Sequence, residues 1–124
     1  MLKRRIIPVE LLAHGRLVKS VAFGAYRDVG DPVKSSKVYS DQDADELLIL
    51  NVVRGLDAVS LLAAQLRRIA RECFVPITAG GGIRSIDDAT QLFEAGADKV
   101  SVCTAAFDNL PLLEQIATRY GAQA

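Results

Sequence analysis

Three consecutive glycines, Gly80, Gly81 and Gly82, stand between the apolar stretch Val75-Pro76-Ile77-Thr78-Ala79 and the helix-start pattern Ile83-Arg84-Ser85. Glycine allows positive φ and close backbone approach, and a helix start directs N–H groups and the positive end of its dipole at what precedes it. Such a turn suits an anion, and phosphate is the natural guest. Other chemistry-bearing residues are few. His14, the only histidine, reads as a surface residue. Cys73 and Cys103 lack Cys/His spacing for zinc and read as reduced, partly buried thiols, so no metal and no cofactor is expected.

The elements that would position these groups alternate along the chain. Ile6 to Val9, Leu47 to Val52, Val75 to Thr78 and Val100 to Cys103 read as buried strands of a parallel sheet. Asp31-Pro32 opens a helix running to about Gln42, with a thin apolar face that carries serines at 35 and 36. Val59, Leu62, Leu66, Ile69 and Cys73 form the stripe of a second helix, with Arg67, Arg68 and Arg71 off it. Ser85 and Asp88 have capping-box spacing for a third helix that buries Ala89, Leu92 and Phe93 and stops at Gly96. A fourth follows Asp108-Asn109, carries Leu112 or Leu113 with Ile116, Ala117 and Tyr120, and ends at Gly121. The long connection from Glu10 to Gly30 predicts a hairpin between Arg16–Lys19 and 21–23. Residues 1–124 thus read as a single (βα)4 domain, and Ala44-Asp45-Glu46-Leu47 echoes Ala97-Asp98-Lys99-Val100 as a weak internal repeat.

Fifteen basic and fifteen acidic residues cancel, so no net field draws nucleic acid or an anionic membrane, and anion recognition must be local. Half the residues are hydrophobic, enough for a core, without a run approaching the ~20 apolar residues of a membrane span. Met1 to Pro8 lacks the apolar region of a secretory signal, and a cytoplasmic location is expected.

Several segments in order, Arg5-Ile6-Ile7-Pro8, Gly15-Arg16, Gly30-Asp31-Pro32, Ala44-Asp45-Glu46-Leu47, Gly80 to Ser85, Ala95 to Ser101 and Thr104-Ala105-Ala106, resemble the N-terminal half of the HisF family. That family comprises cyclase subunits of imidazole glycerol phosphate synthase in histidine biosynthesis. The resemblance implies half of a TIM (βα)8 barrel, a phosphate or phosphorylated small molecule as ligand, and a glutaminase-like partner supplying ammonia. It places phosphate at Gly81, Gly82 and the Cys103-Thr104 pair, where the family has Asn-Thr. It also places general acid–base chemistry at two strand ends, which here read Leu11 and Asn51. Neither leucine nor an amide transfers a proton, and such catalysis is typically worth about 10²–10⁴-fold, so little or no cyclase turnover is expected. By the same resemblance Glu10, adjacent to Leu11, is a candidate substitute acid or base, although strand alternation turns its carboxylate to the opposite side unless the backbone shifts. Lys19 matches the family's lysine and is a candidate contact for a substrate anion. Leu11, Val38-Tyr39 and Asp43 resemble a HisF-like branch associated with glycosyl amidation.

The remaining alternatives are an active cyclase or amidotransferase subunit when assembled with a partner, and a ligand-free assembly module. Four parallel strands leave two unpaired edges and an apolar concave face, so closure by a second copy, as a homodimer or dimer of dimers, is expected. An open, flavodoxin-like sheet is the competing architecture.

Overall fold

A computed structural model of the chain describes residues 3–22 and 24–124. Four strands, β1 (Val9–Ala13), β4 (Leu47–Asn51), β5 (Ile77–Gly80) and β6 (Lys99–Ser101), pair in parallel and in chain order. A hairpin of β2 (Arg16–Lys19) and β3 (Arg27–Gly30) extends the sheet beyond β1, giving the order β3-β2-β1-β4-β5-β6. Between the parallel strands lie α1 (Pro32–Asp41), α2 (Ala58–Ala70) and α3 (Ile86–Glu94), and α4 (Thr104–Asp108) and α5 (Leu110–Tyr120) follow β6.

Alternation along the strands separates two faces. Leu47, Ile49, Ile77 and Ala79 are buried with Leu62, Leu66, Ile69, Leu92 and Leu112 in one core. The intervening Leu48, Leu50 and Thr78 are only half-buried. Chain-order strands joined by crossovers of one hand place the helices on one side. No order reversal appears, so the flavodoxin-like arrangement, which requires one, is not what the chain adopts. The α/β class and parallel sheet are those of a partial βα barrel.

Several boundaries differ from expectation for identifiable reasons. The first strand begins at Val9, three residues beyond the predicted Ile6, because Pro8 has no N–H for the ladder; its carbonyl still accepts from Leu48 N–H at 3.0 Å. The third strand runs into the glycine run as far as Gly80, where any Cβ would come within 2.6 Å of the Ser101 carbonyl oxygen. The last strand is shorter than predicted, ending at Ser101 where the chain turns towards the unpredicted five-residue helix α4. Arg16–Lys19 forms a hairpin arm as predicted, but its partner is Arg27–Gly30. Val21 and Ala22 lie in the turn, and Phe23 falls outside the described residues.

Helices α1 and α3 keep their predicted starts. Asp31 caps α1, its carboxylate accepting from Val33 N–H at 3.0 Å with Pro32 in the first turn. Helix α2 buries Val59, Leu62, Leu66 and Ile69 and ends before Cys73, which is buried beyond its end. On α5, Leu112 is the core residue and Leu113 is exposed.

Candidate functional site

The glycine turn and the start of α4 emerge side by side. Gly80 is the register partner of Ser101, so Gly81-Gly82 and Cys103-Thr104 leave neighbouring parallel strands at the same end. The two glycines do different work. Gly81 has φ 105°, and a Cβ there would run into the carbonyl oxygen of Asn51, so this glycine is required by the backbone of β4. Gly82 has φ 84° and is exposed, and its nearest obstacle would be the Ala58 methyl at 3.6 Å, an ordinary contact. Close approach of a ligand is therefore possible at Gly82.

The start of α3 is less available to an anion than its position suggests. The predicted capping box forms, with Ser85 Oγ accepting from Asp88 N–H and Asp88 Oδ2 accepting from Ser85 N–H, each at 3.2 Å. Asp88 Oδ2 also accepts from Arg84 N–H at 2.8 Å. With Asp87 and Asp88 both in the first turn, negative charge already offsets the dipole there. Across the site, Cys103 precedes α4 without capping it through its side chain, and Cys103 and Thr104 are exposed. The exposed Cys103 departs from the expected partly buried thiol, because it lies past the strand end, where nothing packs over it.

The strand-end residues are engaged in local packing and hydrogen bonding. Leu11 is half-buried on the open face, opposite Leu50. The Asn51 amide organises the loop after β4: Nδ2 donates to the Ala58 carbonyl at 3.1 Å, and Oδ1 accepts from Val53 N–H at 3.2 Å. Glu10 is only 3 % exposed and lies on the helix side, where Ser36 Oγ donates to its Oε2 at 2.9 Å. The structure thus places the Glu10 carboxylate under α1, on the face opposite Leu11. Lys19 ends β2, exposed and paired with Arg27; β1 and β4 separate its strand from β5, so the sheet does not bring it to the glycine turn. His14 is exposed in the turn between β1 and β2.

At the opposite end of the strands the structure assembles a polar cluster that the motif reading missed. Glu46, its side chain 7 % exposed, accepts from Thr78 Oγ1 at 2.9 Å and pairs with Lys99 at 3.4 Å and Arg5 at 3.5 Å. Burial pushes its carboxyl pKa up, but Thr78, Lys99 and Arg5 together hold it below the ordinary value. The sequence echo carried the signal. Asp45 and Asp98 occupy equivalent places: Asp45 Oδ2 accepts from Ile6 N–H at 2.7 Å and Asp98 Oδ2 from Ile77 N–H at 2.8 Å. Each aspartate N–H returns a bond to the same residue's carbonyl, at 3.2 and 2.8 Å. Glu46 and Lys99, the next residues in each copy, form the ion pair.

Comparison with known proteins agrees with this architecture. Residues 5–124 match the family model described as histidine biosynthesis protein. The imidazole glycerol phosphate synthase subunit HisF of an Exiguobacterium species is 43 % identical over 123 residues, 99 % of this chain and 48 % of that protein. The HisF subunit of Lactococcus lactis strain IL1403 is 42 % identical over the same shares. That of Corynebacterium urealyticum is 45 % identical over 119 residues, 96 % of this chain and 47 % of that protein. The chain thus spans about half the length of these relatives. Among the described residues no helix is long and apolar enough to cross a membrane. With a family model covering nearly the whole chain and a parallel sheet to match, the chain belongs to the histidine biosynthesis protein family, as a HisF homologue corresponding to the N-terminal part of its relatives.

Proposed function

We propose that this chain is a HisF-like half-barrel that binds phosphate or a phosphorylated small molecule through Gly81, Gly82, Cys103 and Thr104, with little or no cyclase activity. The observation that carries this reading is the register Gly80 to Ser101, which sets the glycine turn beside the start of α4 at one end of the sheet. Gly82 contributes an approachable backbone, Gly81 holds the turn against β4, and Thr104 offers a hydroxyl and an N–H. The self-capped start of α3 contributes less, which favours a weak site. Leu11 and the engaged Asn51 supply no acid or base. Titration calorimetry with inorganic phosphate and ribose phosphates tests the site. Heat of binding in the wild type, lost in Gly82→Val while circular dichroism is unchanged, is the expected result; absence of heat at millimolar phosphate rejects it.

The open face carries a second part of the proposal, completion by another copy of the chain in a cytoplasmic homodimer or dimer of dimers. Val9 is exposed and Leu11, Leu48 and Leu50 are half-buried on this face, beside exposed Ile6 and Ile7. Along the β6 edge runs a groove of about 650 Å³ whose lining includes Leu48, Val100, Val102 and Leu113. Ala124 already occupies one position on that edge, its carbonyl accepting from Val100 N–H at 2.9 Å. An apolar groove beside an edge that only Ala124 occupies favours a covering partner.

The relatives' description as a synthase subunit, and their doubled length, favour a second reading. In it the same face is covered by a further barrel half, and the assembly takes ammonia from a glutaminase-like partner for ring closure or sugar amidation. Ammonia-dependent turnover by the purified chain would support it, and no turnover with or without a glutaminase would reject it.

A further inference from the structure

Helix α1 docks on the sheet through polar contacts. Its buried stripe is Pro32, Ser36 and Ser40, while Val38 and Tyr39 face solvent. Ser40 Oγ accepts from Phe74 N–H at 2.9 Å, and Ser36 Oγ donates to Glu10 Oε2 at 2.9 Å. The other Glu10 oxygen, Oε1, is buried with no hydrogen-bond partner, the one side-chain polar atom so placed among the described residues. Opposite Glu10 on β4 stands the fully buried Ile49.

No cation compensates this carboxyl among the described residues. Lys34 and Lys37 of α1 are exposed, and Lys37 is paired with Asp41 at 2.8 Å. From the connection between α2 and β5 the facing titratable group is the buried Cys73 thiol, whose own ionisation the Glu10 charge opposes. Burial raises the Glu10 pKa from its ordinary value of 4.5, and the Ser35 and Ser36 hydroxyls pull it back.

We propose that Glu10 is a proton-controlled latch for α1: as a neutral acid it seats Ser36 against the sheet, and as a carboxylate it drives the helix off. A neutral carboxyl with one hydrogen bond is tolerated in such a place, whereas an unpaired buried charge is not. Release is local because α1 gives the core no large apolar side chain, only Pro32 and the half-buried Val33. The sign follows from linkage. A folded-state pKa above the unfolded one means docking is strongest at acidic pH, weakens as pH rises through the unfolded value near 4.5, and levels off above the folded value.

The test is a titration of the Glu10 side-chain carboxyl carbon by NMR on the 124-residue chain, with amide exchange corrected for intrinsic rates. Glu10 is expected to titrate above 4.5. Each unit of elevation lowers the protection of amides 33–41 by about tenfold between acid and alkaline pH, and amides 86–94 stay protected. Glu10→Gln should keep α1 protected throughout. Where that variant does not fold, Ser36→Ala should move the Glu10 titration higher still. A Glu10 titration at or below the ordinary value, an equal loss of α1 protection in Glu10→Gln, or an unmoved titration in Ser36→Ala would each overturn the latch.

Discussion

Two buried glutamates on opposite faces of one sheet are driven in opposite directions. Glu10, beneath α1, has only serine hydroxyls for company, and burial raises its pKa. Glu46, on the open face, is buried almost as deeply, yet Thr78, Lys99 and Arg5 surround it and its pKa falls. The helix side is a dry core that charge enters only at a cost, whereas the open side has room for long cationic side chains to reach in with their heads in water. Depth alone does not set the behaviour of an acid; the partners that its face admits do.

The largest effect expected from this contrast lies within one strand. Ile49→Ala, on the helix side, should cost about 2–5 kcal/mol in chemical denaturation, as deletions in a closed core do. Leu50→Ala, one residue later on the half-buried face, should cost about 1 kcal/mol or less in the isolated chain. If that face is covered by a second copy, Leu50→Ala should also shift sedimentation towards monomer. A wild type that sediments as a stable monomer at micromolar concentration would break the dimer proposal.

The paired aspartates come next. Asp98→Ala removes a charged acceptor from Ile77 N–H and should cost about 1.5–3 kcal/mol. Asp45→Ala should cost less, because its partner Ile6 is exposed. The two losses should add in the double variant, since they clamp different strands. Equal losses would show the two halves of the repeat to be energetically alike.

The smallest effect is the pH response of Glu46. Its folded-state pKa is depressed, so its contribution is present above the unfolded value and disappears as pH falls through the folded one. Glu46→Gln should flatten that acid limb in urea titrations carried below the ordinary value of 4.5. A wild-type profile without an acid limb would contradict the pairing. Because Arg5 and Lys99 are well exposed, salt should weaken the effect.

Much of the scaffold was legible from residues that act locally. Asp31-Pro32 and the Ser85/Asp88 box set the starts of α1 and α3, since a cap satisfies backbone groups within a few residues of itself. The stripe at Val59, Leu62, Leu66 and Ile69 located α2 for the same reason of short range. Strand limits were less legible: an apolar run does not show which carbonyl finds a partner, so the run from Ile6 overshoots the start of β1 and the polar Arg27–Gly30 arm carries no strand signal. At the candidate site, the glycine run was visible, but not that Gly81 is pinned by Asn51 while Gly82 is open.

By itself, then, the sequence determined the alternation of strands and helices and the glycine turn, because each depends on residue type and near neighbours. Only the tertiary structure decided which glycine a ligand can approach and that Glu10 and Glu46 inhabit different surroundings. Those outcomes depend on groups tens of residues apart, Ser36 with Glu10 and Lys99 with Glu46, whose meeting is set by strand register and by which face of the sheet the helices cover.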